Sequence, residues 1–153
     1  MNPSRRSGFA LLAACLAFVI APCLSPSPAQ AQEKGALFIN ITNEDPWKVS
    51  MAAFFGTQFA LKQGHGPVVL FVNVQATPMF RKDRAGVRAE QFGKTVHEML
   101  AEFRAAGGKI QVCPVCIKAL GIPATELVEG AEVASVKSVN DVLFRPDTKT
   151  LSW

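Results

Sequence analysis

Two uncharged apolar runs, separated by a helical pattern, constrain the fold of this 153-residue chain more than any other feature. The first run covers residues 36–42 and the second covers residues 67–74. A strand that is apolar throughout fits a parallel sheet covered by helices on both faces, because a sheet with one face in water shows alternating polarity. We therefore predict a right-handed β-α-β unit in which both runs are parallel strands.

The segment between these runs predicts a helix from about residue 47 to residue 63. Residues 43–46 supply a capping side chain, an acid and a proline for its first turn, and Gly64 ends it. An aromatic stripe that includes Phe55 and Phe59 lies along one side of this helix. We interpret the stripe as part of the hydrophobic core, because apolar residues at helical spacing usually face the core.

A second helix is predicted from about residue 91 to residue 106. Its apolar residues repeat as one amphipathic face: Phe92, Val96, Met99, Leu100 and Phe103. Two glycines then lead into a third strand, residues 109–112. The polar loop of residues 75–86 is expected at the carboxyl edge of the sheet, where ligands bind in open α/β folds. Its Met79 and Phe80 are interpreted either as a contact surface or as packing over the strand ends.

The C-terminal part predicts further short elements. They are a helical turn at 122–128, a strand at 131–134, a helix over 139–144 capped by Ser138, and a closing edge strand at 148–153. Strands alternating with helices in this way predict one three-layer α/β/α domain with a mostly parallel sheet of about five strands and flavodoxin-like layering.

A Cys-Pro-Val-Cys motif follows the third strand directly. Pro114 suits the first helical position and Gly121 suits the end of a short helix, which places Cys113 at the N-cap and Cys116 at the third helical position. Unpaired N–H groups on a first turn stabilise a thiolate and lower the pKa of a thiol. We therefore predict that Cys113 and Cys116 form a site for sulfur chemistry.

The N-terminal residues 1–31 predict a signal peptide. Two arginines precede an almost uncharged run, and residues 29–31 form a small-x-small cleavage site. Prolines interrupt the run, so no membrane span is predicted. We expect a periplasmic or secreted domain of residues 32–153, whose only cysteines are the two of the motif. Lipoprotein processing at Cys15 and twin-arginine export are alternative routes.

Charge and histidine placement argue against several classes of site. The formal net charge of +4 falls to +2 when the two arginines of the leader are removed, and the basic cluster of residues 81–88 is broken by Asp83. No nucleic-acid partner is predicted. His65 and His97 lie 32 residues apart, which does not suit a structural zinc site, so both are assigned structural roles and no metal is predicted. No phosphate loop or flavin signature is present, and no cofactor is predicted.

Residues 112–122, with the Gly64-His65-x-Pro-Val sequence before the second strand, resemble the DsrE/DsrF-like family of small sulfur-relay proteins. The specific feature is a cysteine after the third strand, eight residues before a glycine, as in Cys113 and Gly121. The resemblance implies that Cys113 carries a persulfide, with Cys116 as an additional thiol. It also implies a homo-oligomer that exchanges sulfur with donor and acceptor proteins or small thiols. Relay members of the family work in the cytoplasm, so the predicted export signal argues against their familiar partners.

Three functions remain open at this point. The first hypothesis is a persulfide carrier or sulfurtransferase that uses Cys113. The second is a dithiol/disulfide redox protein that uses both cysteines, although only 37 residues follow Cys116, which is too few for a thioredoxin fold. The third is a non-catalytic DsrE-like binding subunit.

Overall fold

Five parallel strands form the sheet on which the other elements pack in residues 34–153, the part of the chain that the computed structural model describes. In chain order the strands of this part are β1 (Leu37–Ile41), β2 (Val68–Val72), β3 (Arg88–Ala89), β4 (Lys94–Thr95), β5 (Lys109–Val112), β6 (Ala131–Val133) and β7 (Lys149–Ser152). The sheet has the order β6-β5-β2-β1-β7, and β3 pairs with β4 in a separate antiparallel hairpin. The predicted signal peptide lies outside the described residues.

Four helices connect these strands: α1 (Pro46–Phe55), α2 (Val96–Ala105), α3 (Pro114–Ala119) and α4 (Val136–Leu143). The predicted β-α-β unit is confirmed, because β1 and β2 pair in parallel from Leu37 opposite Val68 to Ile41 opposite Val72. The predicted fold class, a three-layer α/β/α domain with a mostly parallel sheet of about five strands, is also confirmed.

The two faces of the sheet are covered unequally. On one face, Ile39 and Leu70 are fully buried in a large core with residues of α1 and α2, among them Phe103. On the other face, Phe38 and Val69 belong to a smaller cluster, which is completed by residues of α4. The alternation follows from the two-residue period of a strand, and burial on both faces explains why these strands are apolar throughout.

The first helical segment has the predicted length but buries its aromatic stripe only in part. Asp45 caps α1, and the helix continues through a π-helical turn, Gly56–Ala60, and a 3-10 turn to a left-handed Gly64. The interpretation of the aromatic stripe as core is confirmed for Phe55, which packs against the large core, and wrong for Phe59, which is 57% exposed. The residues of α1 that are buried are small. The reason is close helix packing: a Cβ atom on Gly56 would lie 2.8 Å from the ring of Phe103 in α2.

Two predicted helix starts are corrected by the structure. Helix α2 begins at Val96 rather than at residue 91, because Gly93 adopts a left-handed conformation within the β3–β4 hairpin and Thr95 caps the helix together with Glu98. The predicted buried face from Val96 to Phe103 is confirmed. Helix α4 begins three residues earlier than predicted. Its N-cap is Ser135, and Ser138 is the reciprocal partner in the capping box.

Candidate functional site

The two cysteines lie where the sequence predicts, at the start of a short helix after β5. Cys113 is the N-cap of α3, and its N–H donates to the carbonyl oxygen of Val72 at 2.8 Å, which extends the pairing of β5 with β2. Pro114 is the first helical residue, so Cys116 occupies the third position. The fixed φ of proline suits that position, and its missing N–H costs nothing there.

The other end of α3 is fixed by a Schellman motif. Gly121 has a φ of 64°, and its N–H donates to the Lys118 carbonyl oxygen at 3.2 Å. The next N–H, of Ile122, donates to the Ile117 carbonyl oxygen at 2.9 Å. A residue with a Cβ is strained at that φ, so Gly121 ends the helix as predicted. The Cys-to-Gly spacing therefore corresponds to one short helix with defined ends.

Both cysteines are free thiols and both are partly exposed. They differ in their surroundings. The Cys113 side chain makes no capping hydrogen bond to the helix, whereas the Sγ of Cys116 accepts a hydrogen bond from the N–H of Val74 at 3.1 Å. Cys116 is thus the sulfur that the turn after β2 contacts.

The pKa of the Cys116 thiol is raised above its ordinary value. Burial is the main cause, and the neighbouring Cys113 thiol raises this pKa further by favouring the protonated form of Cys116. The hydrogen bond from the Val74 N–H acts in the opposite direction without offsetting these effects. The expectation that the first helical turn lowers the pKa is therefore wrong for Cys116, because desolvation outweighs the amide dipoles of a six-residue helix.

Val74 itself adopts a strained backbone conformation. Its φ is 42°, in the left-handed region, and among the described residues it is the one non-glycine residue with a positive φ. A β-branched side chain in this region is a true outlier, and such strain persists only where the surrounding structure imposes it. Here it accompanies the hydrogen bond to Cys116.

A cavity of about 410 Å³ opens beside Cys116 at the carboxyl edge of the sheet. We call it the thiol cavity. Segments that follow β1, β2 and β5 meet there, and the lining residues are Glu44, Val74, Gln75, Pro78, Val115, Cys116, Ala119 and Leu120. Loops after the strand carboxyl ends form the ligand crevice in open α/β sheets, so the expected position of the loop at 75–86 is confirmed.

Met79 and Phe80 pack over the strand ends and are not a contact surface. Both are buried, with 4% and 0% of their surface exposed. His97 supports this packing, since its Nε2 lies 3.2 Å from the Met79 carbonyl oxygen, and the Nδ1 of His65 contacts the Lys34 carbonyl oxygen. Neither histidine lines the thiol cavity. Within residues 34–153, no group of three or more His, Cys, Asp or Glu side chains is arranged to hold a metal ion, and no helix is long and apolar enough to cross a membrane.

Two residues of the site were missed by the sequence analysis. Val74 appeared to be the last residue of an apolar strand, and Glu44 appeared to be an acid near the start of a helix. No local signal could have identified Val74, because β-branched residues normally avoid a positive φ. Glu44 could have been found from the rule that segments after parallel strands share one edge of the sheet.

Comparisons with known proteins establish the fold of this domain. No protein-family model matches the sequence, and no curated protein matches it. The structure is similar to that of the YchN protein from E. coli, with a TM-score of 0.58 and 15% identity over 78% of this chain and 99% of YchN. It is also similar to MTH1491 from Methanobacterium thermoautotrophicum, a protein of unknown function, with a TM-score of 0.53 and 15% identity over the same shares of both chains. The described domain therefore has a DsrE/DsrF-like fold, as the sequence resemblance implied.

Proposed function

We propose that this protein is a sulfur carrier that holds a persulfide on Cys113 and passes the outer sulfur to an acceptor thiol. The observation that carries the proposal is the pair of free thiols at the start of α3, at the carboxyl edge of the sheet, with Cys116 lining a cavity. The Cys-to-Gly spacing and the DsrE/DsrF-like fold support the same role.

The two thiols have different roles in this proposal. The raised pKa of Cys116 favours the protonated form of its thiol. Cys113 is the N-cap of α3, and its spacing to Gly121 is the feature on which the sulfur-relay resemblance rests. We therefore assign Cys113 as the nucleophile and Cys116 as a neighbouring S–H that can supply a proton.

The transfer needs no external oxidant. The Cys113 thiolate attacks the outer sulfur of a donor R–S–SH, a new S–S bond forms on Cys113, and the S–S bond of the donor breaks. The bonding electron pair leaves with the thiolate R–S⁻, which takes a proton from Cys116 or from water. The product is Cys113–S–SH, and an acceptor thiolate removes its outer sulfur by the same exchange in reverse.

The proposal extends to the whole chain. Residues 1–31 are taken as a signal peptide and residues 32–153 as the mature domain, on the basis of the charged, apolar and small-residue pattern of the N-terminus. The mature carrier acts in the periplasm or outside the cell. It forms a homo-oligomer and exchanges sulfur with donor and acceptor proteins or small thiols.

A dithiol/disulfide redox role is the second candidate. The Cys-x-x-Cys arrangement favours it, since both free thiols lie at the start of α3. In that case Cys113 would attack a substrate disulfide and Cys116 would resolve the mixed disulfide. Both cysteines would then be required for turnover.

Loading of sulfane sulfur distinguishes the two roles. The protein purified from cells that express the full chain is incubated in parallel with glutathione persulfide and with benzyl persulfide, alkylated and weighed by mass spectrometry. A carrier should gain one sulfur on Cys113, Cys113→Ser should lose this loading, and Cys116→Ser should retain much of it. If loading vanishes in both variants, or if both variants fail to reduce a disulfide that the parent protein reduces, the redox role replaces the carrier role.

A further inference from the structure

The thiol cavity has a size and a lining that point to a particular class of substrate. We propose that it binds the uncharged organic part of a small sulfur compound and presents that compound to the cysteine pair. This inference rests on the proposed carrier function and names its donor: a low-molecular-weight persulfide with an apolar body, rather than an inorganic sulfur anion.

The volume of the cavity suits a small molecule. Pockets that bind small organic ligands measure roughly 300–1,000 Å³, and the thiol cavity measures about 410 Å³. A single sulfur anion would occupy only a small part of this space. The cavity has room for an aromatic ring or a short alkyl chain next to the Sγ of Cys116.

Several side chains that line the thiol cavity are apolar and exposed to water, which is unfavourable. Val74, Val115 and Leu120 are 55%, 72% and 51% exposed, and all three line the thiol cavity. Large apolar side chains that converge on one concave site beside a reactive group are typical of binding sites. An apolar ligand that covers them removes this surface from water, whereas a hydrophilic ligand would also have to give up the hydration of its own polar groups.

The charge of the residues that line the thiol cavity disfavours the binding of anions. Glu44 is the one charged residue among those that line the thiol cavity, and no lining residue is basic. Anion sites in proteins supply Arg or Lys side chains or converging N–H donors. In the thiol cavity an anionic donor would meet a carboxylate and would also have to lose water against valine and leucine side chains.

This placement assigns Cys116 a function during transfer. When the Cys113 thiolate takes the outer sulfur of R–S–SH, the departing R–S⁻ remains in the cavity next to Cys116. The Cys116 S–H gives its proton to R–S⁻, so neutral R–SH leaves the apolar site. The Cys116 thiolate regains a proton from solvent, and no net oxidation or reduction takes place.

Inert thioethers test binding independently of sulfur transfer, because they contain no sulfane sulfur. Binding of benzyl methyl sulfide and of its carboxylate analogue, 4-(methylthiomethyl)benzoate, is measured by NMR titration of the isotope-labelled protein. We expect the neutral probe to shift the amide signals of Val74 and Val115 and to bind on the order of tenfold more tightly than the carboxylate. Glu44→Gln should reduce this difference. Equal binding of both probes by the parent protein would overturn the assignment.

A cavity-filling variant provides the structural control. Ala119→Trp places a large side chain in the thiol cavity and should weaken binding of benzyl methyl sulfide on the order of tenfold. Ala101→Trp is the matched variant, because Ala101 is an exposed helical alanine away from this cavity, and it should bind as the parent protein does. If Ala119→Trp binds normally, the cavity is not the site.

Different experimental results would overturn the carrier role and the proposed class of donor. Persulfide loading on Cys113 without any binding of benzyl methyl sulfide would overturn the donor class and leave the carrier role intact. Binding of the probe in a protein that never acquires sulfane sulfur would support the cavity and overturn the carrier role.

Discussion

The N–H of Val74 donates a hydrogen bond to the Sγ of Cys116 at 3.1 Å, from a backbone with a φ of 42°. These residues are 42 positions apart in the sequence and belong to the segments that follow two neighbouring strands, β2 and β5. A strained backbone that points an amide at a thiol is characteristic of sites where geometry matters more than local stability.

Val74→Gly should stabilise the fold while leaving the amide available to Cys116. Relief of the strain at a positive φ should stabilise the folded state by about 1–3 kcal/mol, whereas the greater conformational freedom of glycine in the unfolded chain costs about 0.4–1 kcal/mol. The free energy of unfolding, measured in urea, should therefore rise by about 1 kcal/mol. Val115→Gly is the control, because Val115 is an exposed residue in a helix. This substitution should lower the free energy of unfolding by up to about 1 kcal/mol. Equal losses in both variants would show that Val74 is not strained.

Cys116→Ser should lengthen the lifetime of the persulfide on Cys113. In the parent protein the Cys116 thiolate can attack the inner sulfur of that persulfide, which closes a Cys113–Cys116 disulfide and expels hydrosulfide. Because burial raises the pKa of Cys116, this decay should be slow at neutral pH and accelerate at a higher pH than an ordinary thiol would require. A time course by mass spectrometry at several pH values measures it. Identical decay in the variant and the parent would exclude Cys116 as the attacking group.

Gly108→Ala should destabilise the domain through Phe103. A Cβ at position 108 would overlap the ring of Phe103, which is fully buried and cannot move into solvent. Overpacking of this kind costs about 1–3 kcal/mol. Gly86→Ala is the matched control, since a Cβ there meets nothing within 4 Å, and it should change stability by less than about 0.5 kcal/mol. Combining Gly108→Ala with Phe103→Leu should restore part of the loss, and strict additivity would contradict the proposed overlap.

Thr95→Ala should weaken the start of α2 by about 1 kcal/mol, because the Thr95 hydroxyl accepts the N–H of Glu98 at 3.2 Å. Hydrogen bonds from the Thr95 N–H and then from its hydroxyl lower the pKa of Glu98, so the variant should raise this pKa toward its ordinary value. A carboxyl group whose pKa is lowered in the folded state stabilises the fold at pH values above its unfolded-state pKa. This contribution is lost as the pH falls through the folded-state pKa. The stability deficit should therefore shrink in acid. NMR titration of Glu98 measures this pKa, and the exposed Thr125→Ala variant is the control. An unchanged Glu98 pKa in Thr95→Ala would contradict the capping box.

Local sequence rules were sufficient where short-range preferences decide the structure. The apolar runs of β1 and β2 identified strands buried on both faces, and Pro114 and Gly121 set the two ends of α3. Proline fixes φ at the start of a helix and glycine tolerates a positive φ after its end, so neither depends on distant residues. For this reason Cys113 and Cys116 could be assigned to the first turn of a helix from the sequence alone.

Tertiary contacts decided the features that depend on residues far apart in the chain. The first helical segment buries small residues and leaves Phe59 exposed because Gly56 lies against Phe103, a contact that helical periodicity cannot reveal. The β3–β4 hairpin displaced the predicted start of α2, although Thr95 and Glu98 carried a capping signal in the sequence.

The candidate site also combines features set by local sequence with features set by tertiary contacts. The sequence identified the two cysteines as candidates for sulfur chemistry and predicted the edge of the sheet at which they lie. Only the tertiary structure decided that Cys116 is the thiol at the cavity and that its pKa is raised, because burial and hydrogen bonding of that sulfur depend on the turn after β2. Desolvation and backbone strain arise from the packing of several chain segments together, and no local sequence pattern encodes them.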